Sequence, residues 1–523
     1  MSKRRTKHLD KDGPEEEKVM SPRVLMLGWE FPPFITGGLG TACFGLTKAL
    51  DRLGVETTFI LPKSTPVKDG SHVRLISPGD AARRLLQAEG QAVPPPKPMQ
   101  PGPKAVGVTR TEIEEFETIN QQMVETEVRW DRTTIEEPGP GVYSNLSEQL
   151  SPRVLQLMRE TGLDIVKLRS LVRSGELDSS LDDIDLALFS ALPEAGPPRH
   201  EDAIEINEKS ANSADYSGDL VGQAERYARF CSTISRNVDF DVIHAHDWLT
   251  YPAGLAVSRI SGKPLVVHVH STEFDRSGEH VNQSVYNIER RGMHGAARVV
   301  AVSQLTKGII VNRYGIDNHK VNVVWNGIDV DPASSEETHI SGKDQLVLYF
   351  GRITLQKGPE YFIAAAKRVL EIMPQVKFVV AGSGDLAERM IRMAAEMGIG
   401  HKVLFTGFLR GKDINRVFSI ADLYVMPSVS EPFGIAPLEA MSHDVPVLIS
   451  KRSGVSEVLS HALKVDFWDI DDMANKIIAV LRHGPLSKAL RDGGRFELQR
   501  ITWDGAAQKC EQIYNELVAD TVA

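Results

Sequence analysis

A twice-repeated alternation of short apolar runs with helix-length segments constrains this chain more than any other feature. The run RVLMLG stops at Gly28 and is followed by a Pro- and Gly-rich loop, WEFPPFITGGLG. The next segment, TACFGLTKALDRLG, spaces Phe44, Leu46, Ala49, Leu50 and Leu53 as a helix does before Gly54 ends it. VETTFILP (Val55–Pro62) then returns as a strand. Short apolar runs closed by glycine mark parallel strands buried on both faces. The pattern resumes at QAERYARFCSTISRN and DVIHAHD and continues through PLVVHVHS, RVVAVS and VNVVWNG. A second block opens at QLVLYFGR and runs through KFVVAGSG, VLFTGFL, DLYVMPS and VPVLIS. Strands alternating with helices in this way dictate α/β architecture, with two Rossmann-like doubly wound domains.

The polar, turn-rich stretch between the blocks reads as a linker at 331–344. It divides a first domain at 21–330 from a second at 345–495. Inside the first domain, residues from about 63 to 221 break the alternation. They include the proline-rich VPPPKPMQPGP (Val93–Pro103) and read as a large, partly helical insertion. Residues 1–20 are charged throughout and read as a disordered tail, with no apolar core to make a secretory signal. The last segment, 496–523, contains an amphipathic helix with little to pack on inside a finished second domain.

Charge and cysteine usage narrow the function classes. Seventy acidic residues against sixty basic give a net charge of −10, which argues against a nucleic-acid surface. Any phosphate binding must come from local groups. Cys43, Cys231 and Cys510 lie far apart, too few for a disulfide scaffold and without metal-ligand spacing. A reducing, cytoplasmic setting is the expectation, and no apolar run is long enough to span a bilayer. Cys43 reads as a small buried hydrophobe in the first helix.

Ligands of open parallel sheets bind beyond the carboxyl ends of the strands, so residues there are the candidates. TGGLG (Thr36–Gly40) joins a strand to a helix, and its glycines Gly37 and Gly38 let backbone approach an anion. It is not G-x-G-x-x-G, which leaves a dinucleotide site without support. VIHAHDW ends one strand with His244, His246, Asp247 and Trp248, and VVHVHSTEF ends another with His268, His270 and Glu273. Three readings stand: a metal site, polar groups lining a cleft, or buried histidines. The second is favoured for His246 and His270, the third for the deeper pair, His244 and His268. Arg352 and Lys357, in FGRITLQKG, set a guanidinium and an ammonium at a strand end, which suits a diphosphate. VAGSGD (Val380–Asp385) is as well explained by a turn as by a nucleotide contact.

In SEPFGIAPLEA (Ser430–Ala440), Pro437 suits a helix's first turn, so a helix is expected to begin near Ile435. Free N–H groups near Gly434 would face a phosphate. Glu431 precedes this helix and Glu439 lies beyond its first turn; both carboxylates can accept from sugar or ribose hydroxyls.

Together, WEFPPFITGGLG, VIHAHDW, GRITLQKG, AGSGD and SEPFGIAPLEAM resemble the retaining glycosyltransferases of the GT-B fold, family-4 type, related to the glycogen and starch synthases. The likeness covers about Arg23–Leu61 and Tyr227–Leu517. It implies a nucleotide-diphosphate sugar, UDP- or ADP-linked, held mainly by the second domain, and a glucan or small carbohydrate acceptor. By the same likeness Glu431 contacts the donor sugar and Glu439 the ribose, with Gly434 and Ile435 among the donor-binding residues. Arg352 and Lys357 neutralise the diphosphate, Gly38 lies near the phosphates, and His270 lies near the reacting carbon. It also implies that the final helix crosses back onto the first domain, and that neither a metal nor a further cofactor takes part. Ile35 stands where bacterial glycogen synthases carry the lysine of K-T-G-G-L. The likeness therefore extends to UDP-glucose as readily as to ADP-glucose, and to sucrose-type or surface-polysaccharide synthesis or an inactive nucleotide-sugar-binding regulator.

Overall fold

The structure, a computed structural model, describes residues 21–32, 37–63, 72–78, 219–329 and 345–522. The tail at 1–20, most of the expected insertion, the linker at 331–344 and residues Ile35 and Thr36 lie outside the described residues.

Two parallel sheets carry the described chain. The first holds β1 (Val24–Leu27), β2 (Thr57–Ile60), β3 (Arg74–Ile76), β4 (Val242–His246), β5 (Leu265–Val269), β6 (Arg298–Ala301) and β7 (Val321–Val323). Their order across the sheet is β3-β2-β1-β4-β5-β6-β7. The second holds β8 (Leu346–Phe350), β9 (Lys377–Ala381), β10 (Val403–Gly407), β11 (Leu423–Met426), β12 (Val447–Ser450) and β13 (Leu463–Val465), ordered β10-β9-β8-β11-β12-β13. Every residue of β1, β2, β4, β5, β11 and β12 is buried. That is why these strands read as unbroken apolar runs: helices cover both faces, and each sheet separates two apolar clusters.

Three details differ from the sequence expectation. β3 falls within the span assigned to the insertion and extends the first sheet by one edge strand. The helix after the first glycine loop begins at Gly38, three residues before the TACF segment, with extended Gly37 as its N-cap. β13, only three residues long, is too short for its periodicity to register in sequence.

The last helix, Trp503–Val522, lies against the helix Gly38–Arg52. Trp503, Ala507, Cys510, Ile513, Tyr514 and Leu517 join the cluster of Val24, Met26 and Phe59 on the first sheet. Arg52 donates to Asp504 at 2.6 Å, and Ile328 pairs with Thr502. The segment that had no partner in its own domain finds its apolar contacts here. Cys43, Cys231 and Cys510 are all buried free thiols.

Candidate active site

Each sheet has one place where strand order reverses, and there the loops leave in opposite directions and open a crevice. In the first sheet this lies between β1 and β4, and in the second between β8 and β11. The candidate residues collect at the carboxyl ends of these strands and of β5.

At the second sheet, Lys357 follows β8 on a short 3-10 turn, Leu355–Lys357, and Glu431 follows β11. The ammonium of Lys357 donates to Glu431 Oε2 in a largely buried ion pair, with the side chains 21% and 8% exposed. Ser428 Oγ donates to the same oxygen at 3.3 Å. The backbone of Glu431 is pinned from both sides: its N–H donates to the Arg452 carbonyl, and its carbonyl accepts from Gly454, both at 2.9 Å. Arg352, beyond β8, is exposed and has no ion-pair partner among the described residues. Its carbonyl accepts from Tyr349 Oη at 2.7 Å, which fixes the backbone and leaves the guanidinium free to turn.

Gly434 has φ +99°, a left-handed conformation that a side chain would strain. The helix that follows is Ala436–Ser442 with Ile435 at its N-cap, so Glu439 lies in the first turn, not beyond it. No side chain caps this end. Glu439 is half-buried among apolar groups, and burial pushes its carboxyl up to about 7. The glycine turn at VAGSGD serves packing: Gly382 has φ +147°, and a Cβ there would stand 1.9 Å from the Gly351 carbonyl.

At the first sheet the four histidines form a ladder. His246 and His268 are register partners on β4 and β5. His244 and His246 rings lie 4.3 Å apart along β4, and His268 and His270 rings 4.2 Å apart beside them. His246 Nδ1 and His270 Nε2 share a 2.9 Å hydrogen bond, and His244 Nδ1 one of 2.6 Å with Tyr514 Oη. His244, His246 and His268 are buried and His270 half-buried. His246 therefore belongs with the deep pair and not with the cleft-lining one, because β4 runs to its position and β5 covers it. Burial lowers His244 and His270 to about 3 and holds His246 and His268 well below their ordinary value. The ladder is neutral at physiological pH.

Donor atoms of Cys43, His246 and His270 lie within 4.8 Å of one another, as do those of His244, His246 and His268. The ladder's rings stack 4 to 33° from parallel, and the His246–His270 hydrogen bond engages one ring nitrogen of each. Neither ring nitrogen of His268 has a hydrogen-bond partner among the described residues.

Sequence reasoning named Asp247 but gave it no task. It has φ +60°, and its Oδ1 accepts from the backbone N–H of His270 at 2.7 Å and of Ser271 at 3.3 Å. Burial pushes its carboxyl up to about 7. Glu273 does not face the cleft. It accepts from Arg276 at 3.1 Å and from Ser277 at 2.7 Å within its own helix, Glu273–Ser277. Among the described residues, Gly37 and Gly38 have no atom within 4 Å of where a Cβ would stand. The structure thus brings Lys357 and Glu431 together and joins His270 to Asp247 and His246.

The two halves touch. The helix Glu273–Ser277 packs against the Leu355–Lys357 turn. The carboxylate of Glu457 accepts from Gln304 and Leu305 N–H at 2.9 and 2.8 Å, and from Trp325 Nε1 at 3.0 Å. No helix among the described residues is long and apolar enough to cross a membrane.

Three family models match the sequence: Glycosyl transferases group 1 over residues 330–496, Glycosyltransferase Family 4 over 193–332, and Starch synthase catalytic domain over 23–124. An uncharacterized glycosyltransferase of Methanocaldococcus jannaschii is 30% identical over 294 residues, 53% of this chain and 75% of that protein. A glycogen synthase of Mycobacterium tuberculosis is 27% identical over 284 residues, 52% of this chain and 68% of that protein. Among solved structures, sucrose-phosphate synthase from Thermosynechococcus elongatus superposes with a TM-score of 0.59 at 16% identity, over 95% of this chain and all of that one.

Proposed function

The chain belongs to the group 1, family-4 type glycosyltransferases of the GT-B fold, and from that membership we propose that it moves a glucosyl unit from UDP- or ADP-glucose to an α-1,4-glucan with retention of configuration. The observation that carries this reading is the Lys357–Glu431 pair at the β8/β11 crevice. A largely buried cation and anion in contact, with exposed Arg352 at the end of the same strand β8, offer complementary partners to a molecule that is anionic at one end and hydroxyl-rich at the other. The diphosphate takes Lys357 and Arg352, the charge-assisted donors. Glu431, freed from Lys357, accepts from the sugar hydroxyls. Glu439 and Ile435 meet the ribose, and the N–H groups at Gly434 face the phosphates. Gly37 and Gly38 close over the phosphates from the first domain.

The bond between the anomeric carbon and the diphosphate oxygen breaks as the acceptor oxygen bonds to the same face of that carbon, and the hydroxyl proton passes to the departing diphosphate oxygen. Negative charge grows on the leaving diphosphate, where Lys357 and Arg352 stabilise it. Glu431 holds the sugar in reacting geometry. His270, neutral, hydrogen-bonds near the reacting carbon without adding a positive charge to an oxocarbenium-like centre. Asp247 holds the His270 backbone in place. No step calls on a metal ion, and EDTA should leave turnover intact; activity that needs Mg²⁺ would contradict this.

The glucan acceptor draws support from the glycogen synthase relative and the starch synthase match. The test is incubation with radiolabelled UDP-glucose and ADP-glucose, with and without glycogen. Label entering the polymer is the expected result. Transfer to a small acceptor with none into glycogen replaces the glucan with another glucoside. Tight UDP binding with no turnover from either donor makes the protein a nucleotide-sugar-binding regulator.

A further inference from the structure

One short hydrogen bond ties the two catalytic loops together. Ser430 Oγ, next to Glu431 on the second domain, donates to Asp275 Oδ1 of the first domain at 2.6 Å. Asp275 is 3% exposed, and its other oxygen is already committed. Oδ2 accepts from the backbone N–H of Thr272 at 2.8 Å and from its hydroxyl at 2.7 Å. Thr272 is fully buried and stands two residues after His270. Asp275 N–H donates back to Thr272 Oγ1 at 3.4 Å, which completes a capping box on the helix Glu273–Ser277.

Both ends of this link are anchored. Arg276 pairs that helix with buried Glu289, which in turn accepts from Tyr314. On the other side, Val429 N–H donates to the Gln356 carbonyl at 2.9 Å, one residue before Lys357. The link therefore runs from the His270 turn, through Thr272 and Asp275, to Ser430 and so to Glu431 and the Lys357 turn.

We propose that Ser430 and Asp275 are positioning residues that set the register of His270 against Glu431 and Lys357 when the domains meet. The inference rests on the donor-site reading above. Asp275 can do this because its carboxylate has two acceptor oxygens: one shapes the loop that carries the histidine, the other grips the loop that carries the glutamate. Loss of the grip leaves each half folded and misaligned, and small misalignments cost rate more than binding.

The test compares Ser430→Ala, which removes the link and keeps the capping box, with Ser430→Thr, which keeps the hydroxyl. With UDP-glucose or ADP-glucose as donor, S430A should lose about 10-fold in kcat with donor KM little changed, and S430T should recover most of it. In the double variant S430A/D275A the loss should equal that of D275A alone, since without the Asp275 carboxylate the Ser430 hydroxyl has nothing left to grip. Independently of turnover, amide exchange at 270–275 and 430–435 should quicken in S430A. A kcat within two-fold of wild type, multiplicative losses in the double variant, or unchanged exchange in both segments would each overturn the assignment. Glu431→Ala measured in parallel separates the two readings. If E431A is inactive and S430A normal, only the positioning role fails. If E431A turns over normally, the donor-site reading fails.

Discussion

At the ends of β4 and β5 the chain gathers four neutral histidines; at the ends of β8 and β11 it sets a lysine against a glutamate. Both crevices form by the same topology, yet one is polar without charge and the other charged on both signs. Burial explains the first. Imidazole gives up its proton readily when desolvated, so the ladder meets the cost of burial by staying neutral. Lys357 and Glu431 are instead set against each other as an ion pair, each the other's partner. On the function proposed above, a diphosphate would be met at the second sheet and a developing positive charge on sugar at the first.

The strongest way to break this contrast is to remove the charges. Lys357→Ala or Glu431→Ala should lower kcat by about 10³ with the fold retained in circular dichroism, as expected when a preorganised electrostatic contact is lost. Near-normal turnover in E431A would remove its role. His270→Ala should cost about 10² in kcat, consistent with a lost hydrogen bond at the reacting centre. Because burial has lowered His270 to about 3, no histidine step should appear in the pH–rate profile between pH 6 and 8. A step that disappears in H270A would show that the ladder carries charge after all.

Glu439 sharpens the contrast by titration. Its folded value, about 7, lies above the ordinary 4.5, so the fold favours the protonated form. Its contribution to stability is present below pH 4.5 and is lost as pH rises through 7. In the proposed ribose contact the ionised carboxylate is the stronger acceptor, so donor KM should fall as pH rises from 6 to 8. In Glu439→Gln that slope should flatten, with donor KM raised about 10-fold at pH 8. The smallest effect belongs to the scaffold. Tyr514→Phe removes the hydrogen bond to His244 and should lower stability by about 1 kcal/mol in urea unfolding, with kcat unchanged.

Much of this was legible in the sequence because buried parallel strands write themselves as apolar runs. VLML, VIHAH, LVVHV and VLIS needed no further context. Arg352 with Lys357, and Glu431 with Glu439, stood out as combinations just past such runs, where a single charge would read as solvated surface. β3 and β13 were not legible, since their three residues lie in no longer apolar run, unlike β7 in VNVVWNG. Nor was the depth of His246, which depends on β5 covering the end of β4. The Ser430–Asp275 link joins residues 155 apart, and nothing local in either segment names the other. Tyr514 reaches the ladder only because the last helix returns to the first sheet, a contact set by tertiary packing.

The central claim is that the second sheet holds the donor nucleotide while the first supplies uncharged contacts to the reacting sugar. Calorimetric titration of UDP into wild type, Lys357→Ala and His270→Ala tests it directly. The account predicts at least about a 10-fold loss of affinity in K357A and a change within about two-fold in H270A, because only the former loses a charge-assisted phosphate contact. Equal losses in both variants, or a loss in H270A alone, would contradict it.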